Sequence, residues 1–255
     1  MDRVVADMVD RLAVVKREFA HGADVGTPVD ALRRALVTDS KIASVVRLDL
    51  GDNEVLGVQD GSFDLAVSAL ALQFVNDLPG VLVQIRRALK PDGLFLAAFA
   101  GGETLTELRQ AFAQAESEAE GGVSPRVAPF ADLRDLGGLL QRAGFALPVI
   151  DSERVTVNYE TPLALISDLR AMGATNILTE RRRTPLRRAT LNRMMEIYAE
   201  RFANERGRVH ATFEVIWLSG WAPHGSQQKP LKPGSAKVRL ADALGVTEVP
   251  VKRED

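Results

Sequence analysis

Apolar and polar residues alternate along this chain in blocks that predict a mixed α/β fold. The clearest block is residues 62–102, which read SFDLAVSALALQFVNDLPGVLVQIRRALKPDGLFLAAFAGG. Its first apolar run, residues 63–67, predicts a strand. Apolar positions then recur every three or four residues, as on one face of a helix, at Leu78, Leu82, Ile85 and Leu89. Residues 94–99 are entirely apolar, which is typical of a strand buried on both faces of a parallel sheet.

The ends of the predicted helix carry suitable residues. Asn76 and Asp77 offer side-chain oxygens that can cap its first turn. Residues 90–93, KPDG, predict its end, because proline cannot continue a helix and glycine tolerates a positive φ. The block therefore predicts the order strand, loop, helix, turn, strand.

The rest of the chain continues this alternation. We predict helices at residues 5–19, 31–36, 105–119, 132–143, 163–172 and 186–206, and further strands at residues 20–26, 42–50, 147–159 and 212–217. Thr184 and Pro185 suit the start of the last of these helices, as a cap and a first-turn residue. Alternating strands and helices favour a doubly wound sheet with right-handed crossovers.

The block at residues 62–102 resembles the strand, helix, strand unit of class I S-adenosylmethionine-dependent methyltransferases. The resemblance implies an α/β fold with a doubly wound, Rossmann-like sheet. Ligands in such sheets bind at the carboxyl ends of the strands. We therefore expect Ser68, Leu70 and Gln73 at the rim of a site for S-adenosylmethionine.

A glycine-rich turn after the first strand holds this cofactor in the superfamily. Here the corresponding residues 24–30 read DVGTPVD. Asp24 and Gly26 match the motif, but Pro28 and Asp30 replace its second and third glycines. Pro28 removes an N–H donor, and Asp30 adds a negative charge near the ligand carboxylate, a repulsion of about 1–4 kcal/mol at about 4 Å. We expect a weakened or lost cofactor site, unless this is an ordinary turn outside the motif.

A second departure follows the second strand, where an acidic residue normally binds the ribose hydroxyls. Asp49 is the candidate, and a solvated turn residue is the alternative for it. Only 13 residues lie between Asp49 and Phe63, whereas an average helix alone needs about 11 residues. The sequence therefore predicts that the third strand of the family's sheet is lost, with Asp52 and Glu54 as substitute acids.

The second half of the chain resembles one methyltransferase-like family. The residues that carry the resemblance are 172–176 (MGATN), 211–213 (ATF), 220–230 (GWAPHGSQQKP) and 234–236 (GSA). It is the family of the mitochondrial complex I assembly factor and its bacterial relatives, near the malonyl-carrier-protein O-methyltransferase. That factor is described as hydroxylating an arginine of an iron–sulfur subunit of complex I. The resemblance implies substrate-side candidates at Asn176, Trp221, His224 and Gln227, with packing roles as the alternative for Trp221 and His224.

Composition excludes several classes of chemistry. The 255 residues carry a net charge of −2, so no overall field favours nucleic acid or a membrane surface. The absence of cysteine excludes disulfides, thiol nucleophiles and cysteine-ligated iron–sulfur clusters. Among only three histidines, His210 and His224 flank the last strand, so we predict no metal site. The start of the chain resembles no targeting peptide and no apolar run could span a membrane, which predicts a cytoplasmic location.

A run of arginines suggests a protein partner. The cluster consists of Arg181, Arg182, Arg183, Arg187 and Arg188, with Arg193 nearby. It is either a docking surface for an acidic protein or a solvated helix face balanced by neighbouring acids. Nucleic-acid binding is disfavoured because no aromatic residues are interleaved.

Five segments describe the predicted organisation. They are an N-terminal helix (1–19), a Rossmann-like core (20–159), a helical insertion or lid (160–208), the last strand with its following motif (209–225) and an irregular tail (226–255). The favoured function is an S-adenosylmethionine-dependent methyltransferase-like protein acting on a protein substrate in complex I assembly. The alternatives are a non-catalytic assembly factor and a protein arginine hydroxylase.

Overall fold

The computed structural model describes residues 1–38, 41–228, 235, 238 and 240–245. The chain divides into a first unit, Met1–Pro223, and a second unit, His224–Asp255. The strands of the first unit are β1 (Gly22–Val25), β2 (Val45–Leu48), β3 (Phe63–Ala69), β4 (Leu89–Ala100), β5 (Ala146–Tyr159) and β6 (Val209–Trp221). Its helices are α1 (Asp2–Ala13), α2 (Ala31–Val37), α3 (Leu78–Ala88), α4 (Thr106–Glu120), α5 (Leu133–Arg142), α6 (Pro162–Ala171) and α7 (Arg188–Phe202).

The strands form a six-stranded sheet in the order β2-β1-β3-β4-β6-β5. Strands β1 to β4 are parallel, and β6 runs antiparallel to both β4 and β5. This confirms the doubly wound α/β sheet. All of residues 49–62 are described, and they contain no strand, so β2 is an edge strand and the loss of the third strand is confirmed.

Alternate residues of β4 build two cores, one on each face of the sheet. Phe95 and Phe99 pack with Leu82 of α3 and Leu136 of α5. Leu96, from the other face, packs with Met8 of α1 and with residues of α2. Burial on both faces explains why residues 94–99 are uniformly apolar.

The helical insertion before the last strand is also confirmed, and the register of the sheet locates it. Ala100, the last residue of β4, pairs with Val215 of β6. Residues 209–214 of β6, which pair with β5, therefore extend beyond the carboxyl end of β4 by about 20 Å. Helices α6 and α7 are attached there and pack with α4 in a third core. The insertion thus lies at the carboxyl edge of the parallel strands, and its role as a lid remains a prediction.

Some element boundaries differ from those we predicted. Residues 90–93 belong to β4 rather than to a turn. The reason is a long-range hydrogen bond, in which the amide of Asp92 donates to the carbonyl of Ala222. Helix α7 begins at Arg188, since the hydroxyl of Thr184 accepts a hydrogen bond from the Arg182 side chain instead of capping the helix.

The second unit is described only in part. It contains a short helix, α8 (Leu240–Leu244), within the segment predicted as an irregular tail. Most of that tail, including residues 229, 230, 234 and 236 of the family motifs, lies outside the described residues. Among the helices that are described, none combines the length and apolar character needed to cross a membrane.

Candidate functional site

A cleft of about 450 Å³ opens where the loops after β1, β2 and β3 meet. Its lining comes from these three loops and consists of Gly26, Pro28, Asp49, Leu50, Gly51, Asp52, Glu54, Leu70, Ala71, Phe74, Val75 and Asn76. This is the carboxyl edge of the parallel strands, where ligands of doubly wound sheets bind.

The backbone at two positions shapes the floor of the cleft. Gly26 has a φ of +69°, and a Cβ there would lie 3.4 Å from the Cβ of Ala71 and 3.6 Å from Cδ1 of Leu50. A side chain at this position would therefore be strained and would narrow the cleft. Leu70 also has a positive φ, of 51°, and its amide donates to the carbonyl of Ala98 at 2.9 Å. The loop after β3 thus turns back against β4 beside the turn after β1.

A buried carboxylate lies directly before this turn. Asp24 is only 1% exposed, and its Oδ1 has no hydrogen-bond partner among the described residues. Burial raises the pKa of Asp24 to about 6, against the opposing influence of a hydrogen bond with Thr27 and of the nearby charge on Arg47. A buried acceptor without a partner suits a ligand that brings a hydrogen-bond donor, such as an ammonium group.

Arg47 joins two acidic side chains at the edge of the cleft. Its Nε donates to Oδ1 of Asp49 at 2.9 Å, and its Nη1 lies 3.6 Å from Oδ1 of Asp30. Arg33 also approaches Asp30, at 3.6 Å. The expected repulsion by Asp30 is therefore offset by two guanidinium groups. Pro28, by contrast, lines the cleft as expected.

The acids after β2 have different roles. Asp49 lines the cleft with a side chain that is 73% exposed, so it is accessible to ribose hydroxyls. Asp52 also lines the cleft. Both carboxylate oxygens of Glu54 accept hydrogen bonds, from the amides of Asn76 and Asp77, and these bonds lower its pKa. Glu54 therefore stabilises the start of α3, and a role as a substitute ribose ligand stays a prediction.

Only one of the three predicted rim residues lines the cleft. Leu70 does so. Ser68 is fully buried and donates to the carbonyl of Val25 at 2.7 Å, so it links β3 to β1 beneath the site. The side chain of Gln73 donates to the carbonyl of Leu70 at 2.8 Å and stabilises the loop after β3. Ser68 lies inside β3, whereas Leu70 and Gln73 follow the last residue of that strand, Ala69.

Sequence reasoning missed Phe74. This side chain is 56% exposed and lines the cleft from a short 3₁₀ turn, Leu72–Phe74. An exposed aromatic ring in a ligand cleft offers a flat apolar surface. The sequence signal that could have identified Phe74 is its position, since it is an apolar residue between the end of β3 and the start of α3.

The substrate-side candidates do not line this cleft. Asn176 ties two loops together, because its Nδ2 donates to the carbonyl of Pro125 at 2.7 Å and its Oδ1 accepts from the amide of Leu178. Trp221 pairs with Leu94, near the start of β4, so it lies at the opposite edge of the sheet from the cleft. Trp221 is therefore distant from the cleft, and a substrate-side role for it stays a prediction.

His224 and Gln227 belong to the second unit. Nδ1 of His224 lies 2.7 Å from the hydroxyl of Ser226, and Oε1 of Gln227 accepts from the amide of His224. These contacts form a local turn, which is the packed-loop alternative for His224. Across the described residues, no group of three or more His, Cys, Asp or Glu side chains is arranged to hold a metal ion.

Known proteins resemble this chain in sequence and in fold. A methyltransferase domain family matches residues 10–97. An "Arginine-hydroxylase NDUFAF5, mitochondrial" from Danio rerio is 39% identical over 259 aligned positions, which cover 94% of this chain and 80% of the relative. A malonyl-[acyl-carrier protein] O-methyltransferase from Gallionella capsiferriformans (strain ES-2) is 32% identical over 244 positions, covering 85% of this chain and 81% of the relative.

A solved structure supports the fold alone. A methyltransferase-like protein from Bacillus halodurans C-125 superimposes with a TM-score of 0.56 at 18% identity, covering 86% of this chain and 99% of that chain. The chain spans 45–62% of the length of four further curated relatives that share the name of the Danio rerio protein.

The relatives contradict one of our predictions. The Danio rerio and Homo sapiens relatives are named as mitochondrial proteins. The cytoplasmic location inferred from the start of the sequence is therefore wrong by this comparison.

Proposed function

This chain belongs to the class I S-adenosylmethionine-dependent methyltransferase-like family that includes the NDUFAF5 proteins, and on that premise we propose that it binds S-adenosylmethionine in the cleft and modifies a protein side chain during assembly of respiratory complex I. The observation that carries the proposal is the cleft itself, which keeps an acid after β2 and a positive-φ glycine after β1. Both features are expected of a site for an adenosyl ligand.

Four side chains and one glycine are proposed to hold the cofactor. Asp49 would accept hydrogen bonds from the ribose hydroxyls, and Asp24 would accept one from the ammonium group. Gly26 would let the backbone approach the methionine part closely. Phe74 and Leu70 would contact the adenine ring. When bound, S-adenosylmethionine supplies an activated methyl group on a sulfonium sulfur.

Methyl transfer is the reaction that this cleft supports best. Such a reaction depends mainly on holding the acceptor against the methyl group, so it needs few charged catalytic residues. Arginine hydroxylation is the second candidate, favoured by the name of a relative that is 39% identical across 94% of this chain. Both candidates share a protein substrate, and arginine is the side chain that the relatives' name indicates.

Calorimetry tests the cofactor part of the proposal. S-adenosylmethionine and S-adenosylhomocysteine should bind the purified protein, and Asp49→Asn should weaken both. Asp10→Asn, at an exposed residue of α1, serves as the matched control and should bind like the unmodified protein. Absence of binding at millimolar ligand would overturn the proposed cofactor and favour a non-catalytic assembly factor.

Mass spectrometry separates the reactions. The protein is co-expressed with an iron–sulfur subunit of complex I, and the peptides of that subunit are compared with and without the enzyme. Replacement of one hydrogen by a methyl group supports methyl transfer, whereas the gain of one oxygen supports hydroxylation. An unmodified subunit, together with measurable cofactor binding, would contradict both candidates.

A further inference from the structure

The helical insertion contains a groove that is separate from the cofactor cleft. The groove has a volume of about 470 Å³ and lies between α4, α6, α7 and the segment that joins the last two. Its apolar lining includes Leu108, Phe112, Leu163, Ile166, Leu186 and Leu191. We call it the insertion groove. A concave apolar surface of this size suits a few side chains of a partner rather than a whole element.

Exposed arginines lie in the insertion groove and in the chain segment next to it. Arg170 lines it, and Arg187 and Arg188 follow Leu186 directly in the chain. These arginines and Arg183, which lies in the segment that joins α6 and α7, are exposed, and their guanidinium groups make no hydrogen bond or ion pair with any residue that the structure describes. A group of like charges without counter-ions is available for an acidic ligand.

Other arginines of the insertion are already engaged. Arg182 pairs with Glu120 of α4, and Arg181 donates to the carbonyl of Leu178. Arg193 binds Glu118 and Glu196. A solvated helix face balanced by acids therefore describes Arg193, but it does not describe the four arginines around the groove.

The walls of the groove are tied in place. The amide of Arg182 donates to the hydroxyl of Ser124 at 3.1 Å, and the Thr190 hydroxyl donates to Glu120 at 2.6 Å. The first bond joins the segment between α6 and α7 to the loop after α4, and the second joins α7 to α4. A groove that is already formed loses little conformational entropy when a partner binds.

We propose that the insertion groove docks an amphipathic helical segment of a protein partner, with apolar side chains in the groove and acidic side chains against Arg170, Arg183, Arg187 and Arg188. The apolar lining requires apolar anchors, and the uncompensated cations require carboxylates. A helix with anchors at three- and four-residue spacing presents both on adjacent faces. The inference goes beyond the proposed function and does not depend on the cofactor.

Three synthetic peptides of equal length test this proposal by fluorescence anisotropy with the full chain and no cofactor. One is an amphipathic helix with leucine on one face and glutamate on the other. The second has the same composition in scrambled order, and the third carries lysine in place of glutamate. The first should bind about tenfold more tightly than either of the others, and its binding should weaken as salt is added.

Variants place the binding in the groove. Binding of the acidic peptide should weaken about tenfold in a triple variant that combines Arg183→Gln, Arg187→Gln and Arg188→Gln. It should weaken as much in Leu163→Glu, because the replaced side chain is 46% exposed. The control for the arginines is a triple variant that combines Arg34→Gln, Arg134→Gln and Arg142→Gln. The control for Leu163→Glu is Val149→Glu, and all four control positions are exposed and lie elsewhere. Equal binding of all three peptides, no binding, or tighter binding of single-stranded RNA than of the acidic peptide would overturn the proposal.

Discussion

At the scale of single residues, Arg47 compensates the departures from the glycine motif. It touches Asp49 and approaches Asp30, and its charge also acts on buried Asp24. Without this guanidinium, three carboxylates near the turn would lack a counter-charge where we propose that the ligand carboxylate binds. On the proposed function, Arg47 would act as a positioning residue for a zwitterionic ligand.

Replacing Arg47 should expose this repulsion. Arg47→Gln should weaken S-adenosylmethionine binding by about 1 kcal/mol, or roughly fivefold in Kd, because exposed charges interact weakly. Calorimetry at low and high salt measures the effect, which should shrink as salt increases. Arg47→Gln combined with Asp30→Asn should recover most of the affinity. If the double variant binds no better than the single one, repulsion by Asp30 is not the cause.

Asp24 predicts a pH dependence of stability. Burial raises its pKa to about 6 in the folded protein, against an ordinary value of 3.8 for an aspartate that is exposed in the unfolded chain. The folded protein therefore binds the proton more tightly, so stability falls as pH rises between these two values and stays lower above them. The total loss is about 3 kcal/mol.

Asp24→Asn removes this penalty. The variant should be more stable than the unmodified protein at pH 8, by up to about 3 kcal/mol, and the difference should vanish near pH 4. Denaturant titrations at several pH values measure it. A variant that is equally destabilised at every pH would show that the carboxylate is held by hydrogen bonds that an amide cannot replace.

The same variant, Asp24→Asn, should bind S-adenosylmethionine more weakly at pH 8, since the acceptor for the ammonium group loses its charge.

At the scale of elements, the turn after β1 and the segment after β2 are competing causes of the weakened cofactor site that the sequence predicts. Pro28 lines the cleft and supplies no N–H. Pro28→Gly combined with Asp30→Gly should tighten S-adenosylmethionine binding about tenfold, provided that the fold tolerates a loss of about 1 kcal/mol from the more flexible unfolded chain. Calorimetry compares this variant with Pro129→Gly, a proline change in another loop. Unchanged affinity would instead implicate residues 49–62, where the third strand is missing.

Elements with strong local patterns could be predicted from the sequence, and those that depend on pairing could not. Helix α3 follows its apolar spacing and its cap at Asp77, which accepts from the amide of Gly80 at 3.0 Å. Residues 90–93 have the composition of a turn, yet Asp92 and Gly93 bond to Ala222, which is distant in sequence. Pairing partners of this kind leave no local signal. For the same reason Asp49 and Gly26 were found from motifs, whereas the compensating contact of Arg47 was not.

At the scale of the whole molecule, the direction of the strands separates two edges of the sheet. The cleft and the helical insertion lie at the carboxyl edge of the parallel strands, because both follow strand ends. Trp221 ends an antiparallel strand, so the same rule places it at the amino edge. A sequence motif cannot reveal this, since the side on which a motif lies depends on whether its strand runs parallel to its neighbours.

Hydrogen exchange with and without S-adenosylmethionine checks this arrangement. Amides of residues 26–30, 49–54 and 70–76 should exchange more slowly with the ligand, because these loops line the cleft and their opening would expose it. Amides of residues 91–93 and 220–222, at the amino edge, should be unaffected and serve as the internal control. Slower exchange at residues 174–186 as well would support the role of the insertion as a lid. Slower exchange centred on Trp221 would contradict the assignment of the cleft, because Trp221 lies at the amino edge of the parallel strands.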